Sequence, residues 1–81
     1  MYIENEEIKA YKSKLKRIRV SRGFTQQELS DLSGINIKSI AVYEQIPEKM
    51  NKASLESAAN LADCLGCTIE DLLEKEYLKN K

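Results

Sequence analysis

The stretch Gly23–Gln45, GFTQQELSDLSGINIKSIAVYEQ, decides how this chain folds. Thr25-Gln26-Gln27-Glu28 spells a capping box: the Thr25 hydroxyl accepts the amide proton three residues on, and Glu28 reaches back to the Thr25 amide. Leu29 and Leu32 supply the buried side of the helix that follows, and Ser33-Gly34 closes it. Asn36 then offers an N-cap for a second helix through Glu44. Two short helices joined by a tight turn with glycine make a helix-turn-helix. Gly34 suits that turn because it accepts positive φ without steric cost.

Outward from this centre, apolar residues recur at spacings of three and four and nothing alternates with period two, so the expected fold is all-α. A first helix carries Ile8, Tyr11, Leu15 and Ile18 on one face and stops at Gly23. After the central pair, QIPEKMNKA (45–53) reads as a loop, since Pro47 discourages helix at Ile46. Ser54 caps a fourth helix to about Leu65, with Leu55, Ala58, Leu61, Ala62 and Leu65 on one stripe and Gly66 as its stop. Thr68 opens a fifth, which the tail EKEYLKNK is expected to prolong. The reading is one compact five-helix domain over residues 1–81, with helices two and three forming the helix-turn-helix.

Composition sets limits on function. Eighty-one residues make one folding unit that hides only about 60–65% of its unfolded surface. With 42% apolar and 32% charged residues the chain reads as globular rather than disordered. No apolar stretch is long enough for a membrane span and MYIENEEIKA lacks a signal-peptide core, so the expected location is the cytoplasm. Net charge is zero, yet it is segregated: Lys9, Lys12, Lys14, Lys16, Arg17, Arg19 and Arg22 stand in a segment without acids, while six acids against Lys75 alone lie between Glu56 and Glu76. Lys14, Arg17 and Arg22 are expected to act partly as long-range steering charges.

Cys64 and Cys67 form a Cys-x-x-Cys, but the chain has no His and no further Cys, so two small buried thiols are expected rather than a metal site. No nucleophile–base pair is evident either, so neither an enzyme nor a cofactor is expected.

LKRIRVSRGFTQQELSDLSGINIKSIAVYEQ followed by SLESAANLADCLGCTIEDLL resembles the Cro and lambda-repressor type of helix-turn-helix domain. The resemblance spans Leu15 to Leu73, leaving extensions 1–7 and 74–81 at the ends. It rests on Gly23-x-Thr25-Gln26-x-Glu28-Leu29, Gly34, the pair Tyr43-Glu44, and the Leu55…Leu65-Gly66…Leu72-Leu73 ending, in order and in register. It implies a DNA-binding transcription regulator, a repressor of bacterial or phage kind, whose second motif helix (36–45) enters the major groove. It also implies an ion pair between Arg19 and Glu44 and a phosphate contact at Gln26 with the nearby helix amides of Thr25 and Gln27.

On a 100-degree wheel, Ile40 and Tyr43 face inward with Leu29, Ser30 and Ile35, and Asn36, Ile37, Lys38, Ala41, Val42 and Gln45 face outward. Asn36, Lys38, Ser39 and Gln45 are the polar candidates for DNA, with Asn36 also required as an N-cap. Lys49, with Asn51 and Lys52, is placed beside them for phosphates. Ile37, Ala41 and Val42 depart from the family's polar habit; they can pack on a thymine methyl but forgo bidentate readout. Two readings follow. In one the domain binds duplex DNA as a homodimer, since one helix sees only a few base pairs, with an interface from the fifth helix, Tyr77 and Leu78, or Met1-Tyr2-Ile3. In the other it is an antitoxin-like or antirepressor interaction module whose Ile37/Val42 face meets a protein.

Overall fold

A computed structural model describes residues 5–78. Among them are six α-helices: α1 (Glu6–Lys9), α2 (Lys14–Ser21), α3 (Gln26–Ser33), α4 (Ile37–Gln45), α5 (Leu55–Leu65) and α6 (Ile69–Leu72). Two 3-10 turns, Pro47–Lys52 and Lys75–Tyr77, complete the order. The all-α expectation stands, but with more and shorter elements than five helices.

The helix caps account for where most elements begin. Ser13, Thr25, Asn36, Ser54 and Thr68 each accept a first-turn amide proton through the side chain, which satisfies donors that a helix start leaves unpaired. Ser13 is also why the first helix is not continuous. Its extended backbone and its Oγ, which accepts from the Lys16 amide at 3.0 Å, begin α2 afresh. Ile8 and Tyr11 therefore do not extend the face formed by Leu15 and Ile18; they are half-buried, whereas the latter two are fully buried.

The core gathers Leu15 and Ile18 of α2, Leu29 of α3, Ile40 of α4, Ala58, Leu61, Ala62 and Leu65 of α5, and Leu72 of α6. Met50 joins them at 2% exposure, so residues 47–52 are not a free loop. Proline opens that 3-10 turn, where its fixed φ fits and its missing N–H costs nothing. Two expected core residues lie outside: Leu32 is 60% exposed and Leu55 75%. An eight-residue helix such as α3 has room for little more than one inward turn, filled by Leu29 and Ser33, and Leu55 precedes the part of α5 that packs. The tail does not prolong the last helix. Leu73 turns extended after α6, and Glu74 is drawn inward to 5% exposure.

Candidate nucleic-acid interface

Helices α3 and α4 meet through a turn tied by hydrogen bonds from both backbone and serine side chains. Gly34 sits at φ 77°, and its N–H donates to the Ser30 carbonyl at 2.9 Å. The Ser30 hydroxyl donates to the Ile35 carbonyl at 2.6 Å, and the Ile35 N–H donates to Ser33 Oγ at 3.1 Å. The capping box at the start of α3 is complete, with Glu28 N–H to Thr25 Oγ1 at 3.0 Å and Thr25 N–H to Glu28 Oε1 at 2.9 Å. It leaves the first backbone N–H groups of α3 without intrahelical partners, at the positive end of the helix dipole.

The orientation of α4 is set from behind by a buried cluster. Arg19 of α2 donates from Nε to Glu44 Oε2 at 2.6 Å and from Nη2 to Oε1 at 3.0 Å, a bidentate pair. Arg19 Nη1 also holds the Phe24 carbonyl at 2.8 Å. Gln26 of α3 adds a third donor to Glu44, Nε2 to Oε1 at 3.0 Å. Three helices thus converge on one carboxylate, whose side chain is 3% exposed against 10% for that of Arg19.

The opposite face of α4 is open. Asn36, Lys38, Val42 and Gln45 are exposed, and Ile37, Ser39 and Ala41 are half-buried. Asn36 spends its Oδ1 on the Lys38 N–H at 2.7 Å, which leaves its amide nitrogen as the outward donor. Lys49 and Lys52 are exposed on the 3-10 turn that follows. Among the described residues the ion pairs are Arg19–Glu44 and Lys75–Glu70, so Lys38, Lys49 and Lys52 stand in neither. Gln27 is exposed, but its Nε2 donates to Asp31 Oδ1 at 2.9 Å. The candidates Thr25, Gln26 and Gln27 lie at the head of α3, and the rest lie along α4 and just beyond it.

A family model described as a Cro/C1-type HTH DNA-binding domain matches residues 14–76. The chain belongs to that family. Comparison with curated proteins and with solved structures gave no significant match. The start of the match at Lys14 coincides with the start of α2, so α1 lies outside the shared Cro/C1-type unit.

Several residues of this Cro/C1-type domain have roles that differ from those expected of them. Arg22 has a structural task besides its charge: its Nε donates to the Leu65 carbonyl at 2.8 Å and its Nη2 to the Gly66 carbonyl at 3.3 Å, tying α2 to the end of α5. Arg17 Nε is likewise spent on the Tyr11 carbonyl at 2.7 Å. Cys64 and Cys67 are free and half-buried rather than fully buried. Burial first, then a neighbouring acid, Asp63 or Asp71, pushes each thiol up from its ordinary value, so both are protonated and poorly nucleophilic near neutral pH. Asn51 and Glu74, unremarked in the sequence as a pair, bond to each other across 23 positions; no local pattern announces such a contact. Among the described residues, no group of three or more His, Cys, Asp or Glu could hold a metal ion, and no helix is long and apolar enough to cross a membrane. Of the proposed interface residues, Tyr77 and Leu78 are about half-exposed, while Met1-Tyr2-Ile3 lie outside the described residues.

Proposed function

We propose that this Cro/C1-type domain is a sequence-specific transcription regulator, a repressor of bacterial or phage kind, that acts in the cytoplasm by placing α4 in the major groove of duplex DNA. The observation that carries the reading is the two-sidedness of α4. Its back is fixed by Arg19, Gln26 and Glu44, while Lys38, Val42 and Gln45 project from its front with cations Lys49 and Lys52 beside them. A helix held rigidly from behind presents its front residues in one geometry, which base readout requires. Lys38 supplies donors for guanine O6 and N7, Ile37 and Val42 supply surface for thymine methyls, and Asn36, Ser39 and Gln45 supply polar contacts. At the head of α3 the Thr25 N–H is taken by Glu28 and the Gln26 and Gln27 side-chain amides by Glu44 and Asp31, so the phosphates are served there by the backbone N–H groups of Gln26 and Gln27, together with the lysines of the 3-10 turn. Homodimers on two half-sites about 34–36 Å apart multiply the few base pairs that one α4 sees.

The apolar share of that front, with Ile37 half-buried and Val42 39% exposed, supports a second reading, an antitoxin-like or antirepressor module in which the same face meets a protein. Fluorescence anisotropy with random duplex and with the chain's own upstream promoter, over a salt series, separates the two. DNA binding requires a negative log–log salt slope, and Lys38→Ala must alter which sequence is preferred. Absence of binding to either duplex at about 50 mM salt excludes the DNA reading.

A further inference from the structure

Three segments far apart in sequence meet at Glu74. The Glu74 backbone N–H donates to Asn51 Oδ1 at 2.8 Å, and Asn51 Nδ2 donates back to the Glu74 carbonyl at 3.0 Å. The Glu74 carboxylate accepts the Lys14 backbone N–H at 2.6 Å, one of the donors that the start of α2 leaves open. Asn51 belongs to the 3-10 turn Pro47–Lys52, between buried Met50 and exposed Lys52, with exposed Lys49 two residues before it.

A single 3-10 turn of six residues has poor hydrogen-bond geometry and little stability of its own, so its shape is imposed by what it is fastened to. Here Met50 fastens it to the core, Pro47 is buried beside it in the same turn, and the two-way amide pair of Asn51 fastens it to the segment after α6. Lys49 and Lys52 ride on that shape. A cation on a flexible stem reaches a phosphate reliably only when the backbone that carries it is placed in advance.

We propose that Asn51 and Glu74 form a latch that positions the Lys49–Lys52 turn for DNA phosphates, so that the segment after α6 sets DNA affinity without touching DNA. The inference rests on the reading of α4 and the turn after it as the DNA-facing surface. Both latch residues are positioning residues: Glu74 is buried, and Asn51 has both ends of its side-chain amide engaged. The latch also reaches α2 through Lys14, which makes the turn, the C-terminal segment and the helix that carries Arg19 one connected body.

The test uses the full chain and four variants: Asn51→Ala, Glu74→Ala, Glu74→Gln and, as a control, Ala62→Gly in α5. Two readouts are taken at a temperature where all are folded: hydrogen exchange of the amides of residues 48–53, and the salt slope of binding to random duplex. Asn51→Ala is expected to speed exchange in the turn about tenfold or more and to lower the salt slope by roughly 1–2, the share of two lysine–phosphate contacts. Glu74→Ala keeps the backbone N–H and carbonyl that pair with Asn51 and removes only the carboxylate held by the Lys14 N–H, so it should move both readouts in the same direction but less than Asn51→Ala, and Glu74→Gln, which keeps an oxygen for the Lys14 N–H, restores most of the wild-type behaviour. Ala62→Gly lowers the melting temperature but keeps the slope. An unchanged slope in Asn51→Ala, against a wild type that binds, overturns the latch alone; so does an equal loss in Ala62→Gly. If the wild type itself shows no salt-dependent binding, the DNA reading fails and the latch falls with it.

Discussion

Replacing Glu44 by Gln tests whether the cluster behind α4 holds the domain together. The carboxylate accepts three N–H groups, from Arg19 Nε, Arg19 Nη2 and Gln26 Nε2, at 2.6, 3.0 and 3.0 Å. A glutamine has one acceptor oxygen in place of two, and its own NH2 must point at a donor. Arg19 is then left charged with its side chain 10% exposed, retaining only its bond to the Phe24 carbonyl and a share of the amide oxygen. Breaking a buried pair by removing one partner costs about 3–5 kcal/mol, and the near-isosteric swap places this case toward about 3. For a domain of this size each kcal/mol is worth about 4–8 °C, so the melting midpoint should fall by roughly 12–24 °C. Circular dichroism at the helix band, with a urea titration at fixed temperature, reads the change. A loss below about 1 kcal/mol would mean that the pair behaves like an exposed one, and the account of how α4 is held would be wrong. Replacing both partners, Arg19→Met with Glu44→Leu, should cost less than either single change, because no buried charge is left alone.

Gly34→Ala should destabilise by about 1–2 kcal/mol in a urea titration, and because no atom lies within 4 Å of the added Cβ, the loss comes from the backbone at φ 77° rather than from crowding. Met50→Ala should cost about 2–5 kcal/mol by the same measurement, as expected for a core side chain and not for a loop. Glu74 predicts a pH effect. Burial raises its carboxyl above the ordinary value, against the opposing pull of the Lys14 N–H and the Lys14 and Arg17 charges and with the help of Glu76. The folded state therefore binds this proton more tightly than the unfolded one. Its contribution is full below the ordinary carboxylate pKa and is lost as pH rises through the raised value, so the melting temperature of Glu74→Gln should decline less than that of the wild type across that window.

The parts of the fold that were legible in the sequence are those written locally. Thr25 with Glu28, Gly34, Asn36, Ser54 and Gly66 each fix a helix end through neighbours within a few residues, and a sequence displays such neighbours directly. Leu15, Ile18, Leu61 and Leu65 were legible because their helices are buried along a clear stripe. Periodicity gives the direction of a stripe and not where along a helix the packing stops, so it points Leu32 and Leu55 inward although both are exposed. Ser13 fits the helical spacing from Ile8 to Ile18, yet its hydroxyl competes for the backbone and starts α2 afresh. Met50, Arg22, Asn51 and Glu74 draw their roles from partners distant in the chain, so only the packed structure reveals them. In the candidate interface, the outward residues of α4 followed from helical geometry alone, whereas the engagement of Gln26 with Glu44 needed the packing of α3 on α4.

The outward side chains Ile37, Ala41 and Val42 belong neither to the core cluster nor to the partly buried apolar residues packed against it. Everything that fixes the tilt of α4, namely Ile40, Tyr43, Glu44 and their partners, lies on the other side of the helix. The residues that hold α4 and the residues at its front are therefore separable in this protein. If α4 is the DNA-reading helix proposed above, a library that randomises Ile37, Lys38, Ala41 and Val42 should change the preferred sequence while leaving the core cluster and the Arg19–Glu44 pair in place.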